Sequence, residues 1–241
     1  MTHLDGQLPL AELLDRYDEG VTTACPPPGE FGQIFDGLPG DILVLTMSHR
    51  LSSGLVNSAR LAAADTGPRV RVLDTGTAAG SLALIALRAA ETARAGGSLD
   101  EVEQAARLVA GRVQLVAAVG TLDYLVRGGR LPGAVGGLAS RLGMRPLVTV
   151  RRDGKVRKLR PAFSQRAADE RMLDMWRRSR PGAGARLHVV ALHVLAEEKA
   201  QALLKQVRAE VEPATALVAR FGAAMVLHTG PDLTGLSWWW E

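Results

Sequence analysis

Cysteine is almost absent from this sequence of 241 residues, in which Cys25 is the only one. A single thiol cannot form an internal disulfide, and without a cysteine cluster the sequence predicts no zinc site and no other metal site. We interpret Cys25 as a residue without a chemical role.

Long apolar segments are missing as well. The longest run without a charged side chain is 75–87, far shorter than the roughly 20 residues that span a bilayer. The N-terminus lacks the basic and apolar regions of a secretory signal. We therefore expect a cytoplasmic protein that makes at most transient contact with membranes.

The motifs of nucleotide-binding and hydrolytic enzymes are not found either. The sequence contains no Gly-x-x-x-x-Gly-Lys-Ser/Thr phosphate loop, no Gly-x-Gly-x-x-Gly and no Gly-x-Ser-x-Gly. His188 and His193 alternate with apolar residues in a predicted strand, and the carboxylates lie almost wholly on predicted helix surfaces, with no pair arranged for acid-base catalysis. We predict no catalytic residues and no bound cofactor, with a stand-alone lipid hydrolase as an alternative.

Positive charge is concentrated in one part of the chain. The net charge is +4, but the segment 141–180 carries thirteen Lys and Arg residues against four Asp and Glu residues. A solvated surface is the first interpretation of such a segment, a protein-docking surface the second, and a nucleic-acid-binding regulator the third. Nucleic acid ranks last because only Phe163 and Trp176 are available there to stack on bases, and we expect no nucleic-acid partner.

The first half of the chain predicts a parallel βαβ unit. Ile42-Leu43-Val44-Leu45 and Val70-Arg71-Val72-Leu73 are short apolar runs typical of buried strands. The residues between them fit a helical crossover of right-handed connection. Parallel sheets bind ligands beyond the C-terminal ends of their strands. The hydroxyl residues expected at that edge are Ser52, Ser53, Thr75 and Thr77.

Two helices and a strand are predicted next. The segment 78–87 is apolar on every face, which predicts a helix that is covered on both sides. Ser98 and Glu101 form a capping box that begins another helix. A strand follows at 113–119.

The sequence changes character near residue 120. We place there the boundary between an N-terminal α/β domain with a parallel sheet (1–120) and a C-terminal α+β domain with a largely antiparallel sheet (121–241). Asp153-Gly154 lies between two β-rich runs and predicts a hairpin, and 238–240 fit either a final strand or a frayed tail. The other elements predicted are a helix at 164–178, a strand at 187–192, a helix at 196–208 and a strand at 214–219.

Near the C-terminus, His228-Thr229-Gly230-Pro231 places an imidazole and a hydroxyl on a predicted Gly-Pro turn. His228 and Thr229 can together bind a carboxylate, because such groups donate to an anion without burying a full positive charge. Similar hydroxyls beside Gly or Pro occur at Thr22-Thr23 and Ser52-Ser53. For each position on its own, turn formation or helix capping is the simpler explanation.

Several blocks of the sequence resemble, in order, those of the DegV family of bacterial fatty-acid-binding proteins. The most distinctive is Thr121-Leu122-Asp123-Tyr124-Leu125 with Arg127-Gly128-Gly129-Arg130-Leu131. Together the blocks extend over almost the whole chain. They are 22–31, 52–59, 121–131, 142–155 and 228–231.

The resemblance implies a two-domain α/β carrier that encloses one long acyl chain between its domains. It further implies that the carrier presents the carboxylate to an ATP-dependent fatty-acid kinase partner and holds no ATP itself. By position, Thr23 and Ser53 (or Ser52), together with His228, would bind the carboxylate. Arg130 would face the kinase.

The sequence departs from the family pattern in three places, one of which is Gly54-Leu55, which alters the block after Ser53. The family opens with a strand that ends in Thr-Asp-Ser, and no counterpart is found here. We therefore expect the N-terminal sheet to lack its first strand and to have an exposed edge. Ala24 and Cys25 stand where the family has Ser-Gln.

Overall fold

The computed structural model describes residues 9–16, 20–132 and 144–241 and has the predicted α/β architecture. Its contacts divide the chain into two compact units. The βαβ unit comprises Ala24–Val113 and Val150–Lys155, and the sheet unit comprises the described residues up to Thr23, Gln114–Thr149 and Val156–Glu241. The elements in chain order are α1 (Leu10–Asp15), α2 (Pro28–Gly37), β1 (Ile42–Thr46), α3 (Ser53–Ala64), a short 3-10 helix (Gly67–Arg69), β2 (Val70–Asp74), α4 (Ala79–Arg94), α5 (Leu99–Ala110), β3 (Gln114–Ala118), α6 (Asp123–Arg127), β4 (Leu147–Val150), β5 (Val156–Lys158), α7 (Gln165–Arg178), β6 (Leu187–His193), α8 (Glu197–Glu210), β7 (Thr215–Arg220), α9 (Ala223–Thr229) and β8 (Thr234–Trp240).

In the βαβ unit, β1 and β2 are parallel, and their register begins with Ile42 opposite Val70. The connecting helix α3 contributes Val56 and Ala59, which are fully buried. The predicted parallel pair with a helical crossover is therefore confirmed. Among the described residues this parallel sheet has two strands.

The helix predicted at 78–87 is α4, but it is not covered on every side. Leu84 and Ile85 are buried, whereas Leu87 is 37% exposed. The prediction of a fully covered helix is wrong at Leu87, because an apolar run shows that side chains can be buried but not how many neighbouring elements will bury them.

The capping box predicted at the start of α5 is confirmed. The Glu101 amide donates to Ser98 Oγ at 3.4 Å, and the Ser98 amide donates to Glu101 Oε2 at 2.7 Å. Two amides that would have no partner within the helix are thereby satisfied.

The sheet unit is built on six strands in the order β5-β4-β3-β8-β6-β7. β8 is central and antiparallel to both β3 and β6. All seven residues of β8 are buried, so Trp238, Trp239 and Trp240 form a strand and not a frayed tail. Indole N–H groups of Trp238 and Trp240 donate to Ser179 Oγ at 2.7 and 3.0 Å.

Each of the two units consists of segments that are separate in sequence. The predicted division had a single boundary near residue 120. β3 groups with the C-terminal residues because it is hydrogen bonded to β8 and β4. The turn at 150–155 groups with the βαβ unit, where Ser48 Oγ donates to the Gly154 carbonyl at 2.9 Å. The resemblance further implies that 1–120 binds the lipid and that 121–241 closes over the acyl chain, and this division of roles stays a prediction.

Part of the basic segment 141–180 is used for internal contacts. Arg145 and Arg177 form ion pairs with acidic side chains of the sheet unit, each at 2.7 Å. Trp176 is buried, and Phe163, the other aromatic residue of the segment, is 77% exposed. Arg145 and Arg177 thus have structural contacts, and the role of the rest of the segment stays a prediction.

Candidate functional site

The structure brings together two of the predicted carboxylate ligands, Thr23 and His228. They are 205 residues apart in sequence, but Thr23 Oγ1 lies 3.0 Å from His228 Nε2 in the sheet unit. Thr23 is exposed on an extended segment before α2, and the imidazole is partly buried. The pair presents a hydroxyl and a ring nitrogen, both able to donate to an anion.

His228 is not on the predicted turn, because His228 and Thr229 are the last residues of the helix α9. The turn begins only at Gly230, which has φ +72° and would place a Cβ against the Tyr124 ring. Glycine is therefore required at 230 both for its conformation and for its contact. A helix of seven residues is too short to be recognised from periodicity.

The Gly-Gly turn that follows α6 forms a wall beside the imidazole. A Cβ added at Gly128 would lie 2.6 Å from His228 Nδ1, so only glycine allows the ring to come this close. The two blocks 121–131 and 228–231, which are the most distinctive features of the sequence, are thus in direct contact.

Burial and a neighbouring cation keep His228 neutral. Burial and the positive charge of Arg130 together lower the pKa of His228 to about 4. Nδ1 is buried and has no hydrogen-bond partner within the described parts of the chain. At neutral pH the ring is therefore an uncharged group that can donate through one nitrogen.

Arg130 is less exposed than expected for a partner-facing residue. Its side chain is partly buried and folds back on the turn, with Nη1 donating to the Gly128 carbonyl at 2.5 Å. Its charge acts on His228, so Arg130 belongs to the surroundings of the Thr23–His228 pair. A role in facing a partner stays a prediction.

Thr229 is the third predicted ligand in this part of the chain. It is buried, and its hydroxyl donates to the Met225 carbonyl at 3.0 Å within α9. A threonine hydroxyl has one proton, so in this orientation Thr229 has no proton left to donate to a carboxylate. Its role in binding a carboxylate remains untested.

Ser52 and Ser53, the other predicted ligands, belong to the βαβ unit. Ser52 is at the N-cap position of α3, but its side chain makes no capping hydrogen bond; instead, its Oγ lies 3.5 Å from Cys25 Sγ. Ser53 is exposed, and its side chain forms no hydrogen bond with any residue that the structure describes. Capping therefore does not account for Ser52, and the role of both serines stays a prediction.

A His–Asp pair at the C-terminal edge of the parallel sheet was not found from the sequence. His49 Nδ1 lies 2.5 Å from Asp74 Oδ2; Asp74 is the last residue of β2, and His49 follows the end of β1 at Thr46. Burial alone would raise the pKa of Asp74, but hydrogen bonds from the Gly76 amide and from His49 outweigh it and lower this pKa. Asp74 directly follows one predicted strand and His49 lies in the loop after the other, and this shared edge of the sheet is the signal that could have revealed the pair.

An ionic network holds the turn after His228. Asp232 has φ +58°, and its carboxylate accepts from Arg145 Nη1 at 2.7 Å and from Lys199 Nζ at 2.5 Å. Burial would raise the pKa of Asp232, but these two cations outweigh it and lower this pKa. The network fixes the residues that follow α9 and thereby the end of the helix that carries His228.

The ranges that the structure describes contain neither a metal site nor a membrane-spanning helix. No group of three or more His, Cys, Asp or Glu side chains there is arranged to hold a metal ion. No helix in those ranges is both long enough and apolar enough to cross a bilayer.

Comparison with known proteins agrees with the resemblance between the blocks. A family model described as an uncharacterised protein of the DegV family matches residues 5–241. The chain belongs to the DegV family. A DegV domain-containing protein of Streptomyces coelicolor is 36% identical over 222 residues, which cover 90% of this chain and 77% of the relative.

Two solved structures of DegV-like proteins have the same fold. A DegV family protein from Thermus thermophilus, whose structure is described as fatty-acid binding, has 30% sequence identity and a TM-score of 0.88, over 98% of this chain and 86% of the other. The fatty acid kinase B3 protein of Streptococcus pneumoniae, loaded with linoleic acid, has 21% identity and a TM-score of 0.86, over 97% and 84%. At 21% identity, the second comparison shows that the fold is shared and nothing more.

Proposed function

We propose that this DegV protein binds a long-chain fatty acid and that Thr23 and His228 bind its carboxylate. The observation that carries the proposal is the 3.0 Å contact between Thr23 Oγ1 and the neutral His228 ring. The Thermus thermophilus relative, described as fatty-acid binding, supports the choice of ligand. No cofactor is part of the proposal.

The acyl chain should contribute most of the affinity. Burial of ~14 methylene groups at ~0.8 kcal/mol each offers ~11 kcal/mol before the costs of binding. One hydrogen bond to a charged group contributes about 1.5–3 kcal/mol. Thr23 and His228 would therefore select the acid head group more than they determine total affinity.

The direct test is to identify what the protein carries. Protein purified from cells should contain about one fatty acid per chain, detected by native mass spectrometry and by organic extraction. A protein that contains no acyl chain and takes up none from a mixture of fatty acids would contradict the proposal.

The head-group residues can be tested by comparing a fatty acid with its methyl ester. Thr23→Val and His228→Ala should each weaken acid binding by about ten- to a hundredfold and reduce the preference for the acid. Thr22→Val is the matched control, because Thr22 is an exposed neighbour on the same segment. An unchanged acid-to-ester preference in both variants would rule out this pair as the head-group site.

We further propose that the protein acts as a carrier subunit, with a partner kinase that phosphorylates the bound acid. This step rests on the family resemblance and on the position of Arg130 beside the Thr23–His228 pair. Arg130→Ala should slow phosphorylation in a reconstituted assay with a cognate kinase and ATP, because the guanidinium charge at the carboxylate is lost. Arg166→Ala, at an exposed arginine, is the control. Equal rates for Arg130→Ala and wild type would contradict this role.

The His49–Asp74 pair favours one second candidate, a stand-alone lipid hydrolase. A hydrolase of this type needs a nucleophile hydrogen bonded to the histidine. In the described ranges the side-chain partner of His49 is Asp74, and no hydroxyl or thiol is bonded to it. Ester hydrolysis by purified protein that is lost in His49→Ala would establish this activity, and we expect none.

A further inference from the structure

The His228 ring has two different neighbours at its two nitrogens. Nε2 faces an oxygen, Thr23 Oγ1, at 3.0 Å. Nδ1 is buried without a hydrogen-bond partner in the described chain, and the hydrogen that Gly128 carries in place of a side chain lies against it. The ring therefore meets a hydrogen-bonding group on one side and a C–H group on the other.

A neutral imidazole carries its proton on one of the two nitrogens. On Nδ1, the proton would face a C–H group and remain without an acceptor, which costs about 1–3 kcal/mol. An unprotonated Nδ1 instead makes a weak C–H···N contact with Gly128. With the proton on Nε2, the ring N–H has an acceptor, Thr23 Oγ1, within hydrogen-bonding distance.

We propose that Gly128 is a positioning residue that fixes His228 in the tautomer with its proton on Nε2, so that the ring donates to Thr23 and Thr23 in turn donates to a bound carboxylate. The tautomer follows from contacts within the sheet unit alone. Its consequence for a carboxylate rests on the proposed function.

Burial and Arg130 keep the ring neutral, which is the state in which it has two tautomers. Arg130 opposes protonation of the imidazole, as burial does. α9 packs against α1 and α6. The ionisable side chains on these two helices are Glu12, Asp15, Asp123, Tyr124 and Arg127.

The tautomer gives Thr23 a defined function. When Nε2–H donates to Thr23 Oγ1, the threonine proton is released to donate to a carboxylate oxygen. A carboxylate accepts such a bond more strongly than an ester carbonyl does, because the acceptor is charged. Head-group selection would then depend on two donors in series, both uncharged.

The tautomer can be measured directly by NMR of protein labelled with 15N-histidine, with His228 assigned by its loss in His228→Gln. We expect the Nε2–H pattern for His228 in wild type and also in Thr23→Val, because Gly128 and not Thr23 excludes the other tautomer. An Nδ1–H pattern in wild type, or a mixture of tautomers in Thr23→Val, would overturn the proposal. Neither result depends on a fatty acid.

Gly128→Ala tests the contact. Gly128 has φ −73°, which alanine adopts without strain, so the new methyl group acts through the atoms it meets, which are His228 Nδ1 at 2.6 Å and, less closely, the Tyr124 carbonyl oxygen at 3.0 Å. Gly111→Ala is the matched control, at a helix end with the same φ and only ordinary contacts. Gly128→Ala should shift the His228 ring signals and reduce acid-over-ester preference about tenfold, whereas Gly111→Ala should change neither. Unaltered ring signals in Gly128→Ala would contradict the role; if that variant does not fold, the wild-type and Thr23→Val spectra still decide the tautomer.

Two amide substitutions test the donor itself. The Gln side chain places its amide near the position of Nε2, and Asn places it near Nδ1. His228→Gln should therefore keep most of the preference for the acid over the methyl ester, and His228→Asn should lose it. The reverse order would contradict an Nε2 donor, whereas failure of every form, wild type included, to bind fatty acid would contradict the proposed function and leave the tautomer measurement intact.

Discussion

At the residue scale, His228 illustrates how surroundings change the chemistry of a side chain. In water an imidazole is partly charged near neutral pH. Here burial and Arg130 lower its pKa to about 4, so that it acts as a neutral donor throughout the physiological range. Electrostatic attraction for the proposed carboxylate ligand then comes from Arg130, whereas the neutral ring orients the hydrogen bonds.

The lowered pKa of His228 predicts how stability changes with pH. The unfolded chain binds a proton near pH 6.5, but the folded chain does so only near pH 4, so the unfolded state holds more protons between these values. This contribution to stability is complete above pH 6.5 and is lost as the pH falls toward 4. Since the ring is only partly buried, we expect a loss of about 1–2 kcal/mol.

His228→Gln, which does not titrate, should show a smaller loss of unfolding free energy between pH 6.5 and 4 than wild type does. Urea denaturation at several pH values measures this difference. Identical pH profiles for the two proteins would contradict the lowered pKa.

A second prediction concerns Gly230. Gly230 and Gly129 both have φ +72°, but an added Cβ meets the Tyr124 ring only at Gly230 and open space at Gly129. Gly129→Ala should cost about 1–2 kcal/mol from backbone conformation alone. Gly230→Ala should cost more, because its ψ of 179° lies in a region that only glycine adopts readily and because the Tyr124 ring must also move. Chemical denaturation of both variants measures the difference, and equal losses would show that the contact with Tyr124 has no energetic effect.

Thr23 and His228 could be predicted as site residues from the resemblance of their blocks. The contact between Gly128 and His228 could not, because it joins residues 100 positions apart and depends on packing. The same is true of His49 and Asp74, which meet only because β1 and β2 are parallel and in register. For Thr229, the sequence identified the hydroxyl but not its bond to Met225.

At the element scale, periodicity and caps predicted most helices and strands correctly. α5 was predicted from its capping box, and β6, α8 and β7 were predicted with nearly the bounds that the structure has. α9 was missed because the Gly-Pro pair after Thr229 indicated a turn and concealed the helix before it. A local pattern identifies where an element ends more readily than what precedes it.

The end of α7 provides an element-scale prediction. The Ser179 hydroxyl accepts from Trp238 and Trp240 and donates to the Trp176 carbonyl at 2.6 Å. Ser179→Ala would leave two indole N–H groups without this acceptor, at about 1–3 kcal/mol each. We expect a total loss of about 2–6 kcal/mol, measured by chemical denaturation.

Ser164→Ala, which removes the N-cap at the other end of α7, is the control and should cost about 1 kcal/mol. If Ser179→Ala loses no more than Ser164→Ala does, the hydroxyl does not tie α7 to β8.

At the scale of the whole molecule, a bound fatty acid should raise thermal stability. A ligand that binds only the folded state at a free concentration 100 times its Kd stabilises by about 2.7 kcal/mol. Thermal denaturation with increasing palmitate should therefore show a rising Tm. The methyl ester at equal concentration should raise it less, and no rise with any long-chain acid, saturated or unsaturated, would contradict binding.

The position of β8 in the sheet also determines how the chain can fold. β8 follows every other strand in the sequence, yet it joins β3 to β6. During synthesis on a ribosome, the β3–β4–β5 group and the β6–β7 pair cannot join until β8 has emerged. Because closing such a long loop is slow, we expect β3 in one group and β6 in the other to remain unpaired edge strands until then. A nascent chain stalled before Thr234 should therefore bind a chaperone and be cleaved readily by protease.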